Sequence, residues 1–255
     1  MSVDYFVQYP CKVREQIADE QLLQMIKSRD RANILLDVMR KNPKTDRSKP
    51  ESEWTAMLRV QGPNGVVNQE IKIADLLAES RPLDALSAHC NGCTANLRRT
   101  AFGCGGAIHY PIAPETEEWL VSRLPEDLGG TAGKVLLKAI ADFKLDGAPI
   151  DAARSRNDLY SLKKPVERTW RAFLSRKTVN SSQVLQMLFN VGSMQPSHAK
   201  MVAYFLGFLT DSFKVDERPI NEAVPTDNRG VAEFKLFLGA AALAGTANVA
   251  LLIDA

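Results

Sequence analysis

Histidine is scarce in this chain: only His89, His109 and His198 occur among its 255 residues. Three scattered imidazoles offer little material for a Cys-His nucleophilic centre, and no H-E-x-x-H helix, G-x-S-x-G elbow or dinucleotide glycine fingerprint is present. The phosphate loop is missing too. Gly129, Gly130, Gly133 and Lys134 come near it, but the G-x4-GK spacing fails, and Val135 stands where a Ser or Thr would hold Mg²⁺. The segment reads instead as the loop before a helix. No repeat of about 20 to 50 residues and no low-complexity tract is visible, which excludes a solenoid.

An excess of charge of one sign is lacking as well. With 32 basic and 30 acidic residues the net charge is +2, so the chain as a whole is not a polyelectrolyte that would coat nucleic acid or an anionic membrane. Any such affinity must be local. The first ten residues show neither the basic nor the apolar region of a secretory leader, and the expectation is a cytoplasmic protein. Residues 236–253 form a run without charge that approaches the length of a membrane span. Ala, Gly, Thr246 and Asn248 dominate it, with a break expected at Gly245. It therefore reads as a buried helix followed by a short strand at 249–253, and no membrane association is expected.

What remains is an ordinary globular composition, 45% hydrophobic and 24% charged, long enough to bury a substantial core. Apolar spacing predicts one or two helices over 22–39 after an extended segment at 5–8. The polar run 41–53, with Pro43 and Pro50, predicts an exposed connection. Alternation through Trp54, Ala56, Leu58 and Val60, then Val67, Ile71 and Ile73, predicts a β-hairpin across residues 62–65. A further extended piece is expected at 107–112. Helices are predicted over 115–124, 133–143, 165–174, 181–190, 196–209 and 230–243. Glu115, Glu117 and Glu118 read as acids in the first turn of a helix, favoured there by the macrodipole.

Four cysteines carry the most specific chemistry. Cys90 and Cys93 form a C-x2-C turn around Gly92, a spacing that lets two thiolates point at one ion. Cys104 follows between Gly103 and Gly105. Cys11, the fourth cysteine of the chain, completes a tetrahedral set. Zinc is the expected metal and a [4Fe–4S] cluster the alternative, since both accept four thiolates. Four protein ligands leave no open position for water, so the role expected of such a zinc is structural. If Cys11 is instead an ordinary buried thiol, His89 or His109 would have to supply the fourth ligand. His198 reads as a helix-start or core histidine.

Charge is concentrated in one place. Residues 154–177 hold eight basic residues against two acidic ones, a net charge of +6, with Tyr160, Trp170 and Phe173 among them. Lys163, Lys164, Arg168 and Arg171 are candidates for binding nucleic acid or another polyanion, joined by Arg98 and Arg99 in the cysteine-rich loop. The competing reading puts Trp170, Phe173 and Leu174 in the core and the charges on a solvated helix face. Residues 182–201 outline a helix-turn-helix, but the second helix is apolar, as a packing helix is.

The expectation is thus an α+β protein: a small metal-stapled β-hairpin region at 1–114 followed by a mainly helical lobe at 115–255, either separate or joined in one compact unit. Its expected function is that of a metal-binding module with a structural four-cysteine zinc site and a nucleic-acid or other polyanionic partner. One alternative is an iron–sulfur protein of electron transfer or redox sensing. Another is an enzyme with an unrecognised site in the helical lobe.

Overall fold

The structure is a computed structural model that describes residues 2–62, 65–156, 159–172, 175–189, 192–216, 218 and 221–254, with the side chains at 59–66 and 172–175 left aside. Helices and strands are mixed along the chain, consistent with an α+β protein. The chain divides into two compact units, Pro10–Cys93 and Met1–Tyr9 with Thr94–Ala255.

In the unit Pro10–Cys93, the apolar spacing of 22–39 is realised as one helix, α1 (Asp19–Lys41). Asp19 and Glu20 lie in its first turn and Arg40 and Lys41 in its last, each where the helix dipole favours it. The hairpin forms as expected from strands β2 (Thr55–Gly62) and β3 (Gly65–Lys72), in register from Thr55↔Lys72 to Gly62↔Gly65. Its turn residues, Pro63 and Asn64, lie outside the described residues. One difference is local: Ile73, expected on the second strand, opens helix α2 (Ile73–Ser80) and is fully buried with Leu36 and Trp54. The Ser28 hydroxyl donates to Glu79 at 2.7 Å and ties α1 to the end of α2. Helix α3 (Pro82–Leu86) and a 3-10 turn, Ser87–Cys90, complete the unit.

The second unit is built on a three-stranded antiparallel sheet. Strand β1 (Ser2–Val7) is its centre, flanked by β4 (Gly105–His109) and by β7 (Leu251–Asp254). Both ends of the chain are therefore joined in one sheet. Helix α9 (Arg229–Ala247) packs on it through an aromatic cluster: the Phe237 ring meets Tyr5 edge-on at 4.9 Å and lies 5.8 Å from Phe189. The Asn228 side chain caps α9 by accepting from the Val231 amide at 2.8 Å.

Gly245 does not break this helix. It lies inside α9, and a Cβ there would stand 2.6 Å from the backbone nitrogen of Lys200, so its bareness allows α8 (Pro196–Phe205) to approach closely. The helix ends instead at Asn248, which turns into the left-handed region at φ 55°. By length and composition alone α9 is apolar enough to cross a membrane; here it covers the sheet, with Phe234, Phe237, Leu238 and Ala241 fully buried.

Helices α4 (Pro114–Ser122), α5 (Thr131–Asp142) and α7 (Ser181–Phe189) occupy most of the remaining positions expected to be helical, and α6 (Ala148–Arg156) forms where no helix was expected. The exception is 165–174. Where the apolar spacing predicts a helix, the chain forms strand β5 (Glu167–Ala172), which pairs antiparallel with β6 (Ser175–Asn180). The cause is tertiary: Thr169 and Thr178 join hydroxyls across the ladder at 3.0 Å, and Trp170 and Arg168 reach the carbonyls that follow α4. Helix α8 also stops earlier than predicted, because Gly207 turns the chain at φ 72°.

Candidate functional site

Cys90 and Cys93 occupy the turn that their spacing implies. The Cys93 amide donates to the Cys90 carbonyl at 3.3 Å, and Gly92 between them takes φ 71°, a conformation open to glycine without steric cost. Cys90 is buried at the end of the 3-10 turn, and Cys93 is half-buried. Cys11 belongs to the same unit, on a turn where its carbonyl accepts from the Glu15 amide at 3.1 Å. Cys104 belongs to the other unit, where its carbonyl accepts from the Val7 amide at 3.0 Å. Among the described residues no disulfide forms, and no three His, Cys, Asp or Glu side chains are gathered as a ligand set.

The histidines have other partners. His109 Nδ1 lies 2.7 Å from the Glu233 carboxylate, and the His109 amide donates to the second oxygen at 2.8 Å. Arg229 donates to the same carboxylate at 2.8 Å. Burial raises the Glu233 pKa, but these hydrogen bonds together outweigh it and hold the carboxyl below its ordinary range. His198 sits in the first turns of α8, half-buried, with Nε2 3.1 Å from the Met187 carbonyl, and its burial lowers its pKa.

The basic segment is divided in two by the fold. Arg154 faces inward and is 1% exposed. Its guanidinium meets the fully buried Glu117 through two parallel hydrogen bonds, one at 2.7 Å, and also reaches Ser182 at 3.0 Å. The Tyr160 ring lies 4.8 Å beneath it. Glu117 is therefore more than an acid of a first helical turn, and neither Arg154 nor Tyr160 is available to a partner. Burial raises the pKa of Tyr160 and of Tyr110, its edge-on neighbour.

What remains at the surface is a ribbon. Lys163 and Lys164 are exposed on the approach to β5, and Arg168 is half-buried on it, donating to the Leu124 carbonyl at 2.6 Å and lying 5.1 Å over the Trp170 ring. Trp170 directs its indole N–H to the Pro125 and Glu126 carbonyls, both at 3.1 Å. That ring is thus engaged by the protein, while Phe173 lies outside the described residues. Arg171 is exposed and directly opposite Arg176, which is also exposed; Lys177 stands opposite Trp170. Among the described residues neither Arg171 nor Arg176 has an acidic partner. The sequence counts Arg176 and Lys177 in the basic segment, but the helix expected at 165–174 could not set them opposite β5.

Arg98 and Arg99 occupy a separate loop that folds on itself, the Arg98 amide donating to Gly103 at 3.3 Å and Arg99 taking φ 54°. Both side chains are exposed. Compared with protein-family models, with curated proteins and with solved structures, the chain matches none of them.

Proposed function

We propose that this chain is a nucleic-acid-binding module whose contact element is the β5–β6 ribbon. The observation that carries the reading is the Arg171–Arg176 pair. Like charges placed directly opposite across an antiparallel ladder repel, and no carboxylate among the described residues relieves them. A phosphate between them would. Arg168, Lys177, Lys163 and Lys164 add positive charge to the same part of the chain. A two-stranded ribbon about 20 Å long is of a size that the major groove of duplex DNA admits.

Because Trp170 and Tyr160 are engaged within the protein, the reading is one of backbone contact rather than base stacking. The thiolates belong to the scaffold in this proposal. Cys90 and Cys93 present two sulfurs from one turn, and Cys11 and Cys104 are the other two in the chain; zinc held by them is structural. A [4Fe–4S] cluster is the alternative on the same cysteines, and it would make anaerobically purified protein brown.

The test is binding of labelled duplex across a salt series. Association that falls steeply with salt, together with its loss in Arg171→Glu/Arg176→Glu, supports the proposal. Salt-independent association, none at all, or unaltered binding by that variant would overturn it.

A further inference from the structure

Three side-chain donors converge on the carbonyl oxygen of Gly207, in the turn that ends α8. Asn221 Nδ2 reaches it at 2.9 Å, Arg218 Nη2 at 3.2 Å and Arg123 Nη2 at 3.4 Å. A carbonyl oxygen has two lone pairs, so this one cannot answer all three. Arg123 also donates from Nε to the Leu206 carbonyl at 3.2 Å and from Nη2 to Asn221 Oδ1 at 2.7 Å. Among the described residues, Nη1 of either arginine donates to nothing. The dipole of α8 accounts for one cation at its end. It leaves the second guanidinium, and the surplus of N–H groups, unexplained.

Charge points the same way. Arg218 pairs with Asp216 at 2.7 Å, whereas Arg123, half-buried at the end of α4, has no carboxylate within ion-pair distance among the described residues. Burial lowers the Arg123 pKa and the neighbouring Arg218 charge lowers it further, with Asp216 acting the other way. A guanidinium stays protonated in proteins regardless. The two arginines flank the bare α-carbon of Gly207: a Cβ there would stand 2.9 Å from Arg123 Nη2 and 3.3 Å from Arg218 Nη2. Glycine, at φ 72°, keeps that space clear between two donors. Arg218 is 59% exposed, so solvent reaches the pair.

We propose that Arg123 and Arg218 form a binding site for a small oxyanion, a phosphate or a carboxylate, whose oxygens accept from both guanidiniums beside Gly207. None of its contacts involves the β5–β6 ribbon. The oxyanion is either a free small molecule or a phosphate of a bound nucleic acid, and the arms of the test separate the two.

Intact protein is titrated at constant ionic strength with inorganic phosphate and with acetate by calorimetry, and with a labelled duplex by anisotropy. Saturable binding of phosphate or acetate, weakened about tenfold or more in Arg218→Gln and unchanged in Arg171→Gln/Arg176→Gln, is the expected result. Duplex binding that alone weakens in Arg218→Gln identifies the oxyanion as a nucleic-acid phosphate. The proposal is overturned if Arg218→Gln alters none of these affinities, or if no titrant binds saturably. Arg123→Gln should weaken the same titrant as Arg218→Gln does. Should Arg123→Gln not fold, Arg218→Gln decides, since its side chain lies mostly in solvent.

Discussion

Glu117 and Arg154 form a bidentate ion pair in which both side chains are removed from water, at 0% and 1% exposure. The pair joins α4 to α6, and the hydroxyls of Ser181 and Ser182 extend it to α7. Removing Glu117 leaves the buried guanidinium only the partly exposed Asp151 carboxylate, 3.6 Å from its Nε, and the loss of a buried partner costs about 3–5 kcal/mol. Glu117→Gln is accordingly expected to lower the unfolding free energy in urea by that amount. The double variant Glu117→Leu/Arg154→Met should recover most of the loss, since apolar residues of similar volume replace such pairs at little cost. A single-variant cost below about 1 kcal/mol would contradict this description of the core.

Two glycines of α9 make opposite predictions. A methyl group at Gly245 would meet the Lys200 nitrogen at 2.6 Å and its Cα at 2.7 Å, backbone atoms that no side-chain rotation can move. Gly245→Ala gains about 1 kcal/mol of helix propensity and loses about 1–3 kcal/mol to overpacking, so thermal unfolding should show a net loss. Around Gly239 nothing lies within 4 Å of an added Cβ. Gly239→Ala should therefore raise the melting temperature.

Helices whose signals are local were legible in the sequence. The apolar run 230–243 marks α9, and the alternation of 54–60 and 67–71 marks the first hairpin. The second hairpin was not legible. Trp170, Phe173 and Leu174 have the spacing of a helix face, and only the pairing of Thr169 with Thr178 and the carbonyls after α4 select a strand. The C-x2-C turn was readable for the same reason that α9 was. Pairs remote in sequence, such as Glu117 with Arg154 and His109 with Glu233, left no local trace. Counting Arg154 among surface charges was the result.

His198 gives the fold a pH dependence with a definite sign. Burial lowers its pKa below the ordinary 6.5, and the hydrogen bond to the Met187 carbonyl offsets this only in part. Between the folded value and 6.5 the unfolded chain binds more protons, so stability rises with pH across that window and levels off above it. Below the folded value the stabilisation contributed by the neutral ring is lost. Chemical denaturation at a series of pH values should show this rise, and His198→Gln should flatten it while leaving other titrations in place. An unchanged slope in that variant would remove His198 as the cause.

The Arg171–Arg176 pair predicts that binding and stability will move in opposite directions. Each arginine on a phosphate contributes about −0.9 to the slope of log K against log salt on a duplex. Replacing both by Gln should make the slope shallower by about 1.8 and weaken binding on every duplex sequence, because phosphate contacts carry no base information. The same substitutions remove a repulsion between directly opposed charges, worth about 0.2–1 kcal/mol. Arg171→Gln alone should therefore raise the melting temperature of the unbound protein while lowering its affinity. If the two arginines were merely a solvated face, affinity would not change, and a variant that is more stable and binds equally well would count against the ribbon as the contact surface.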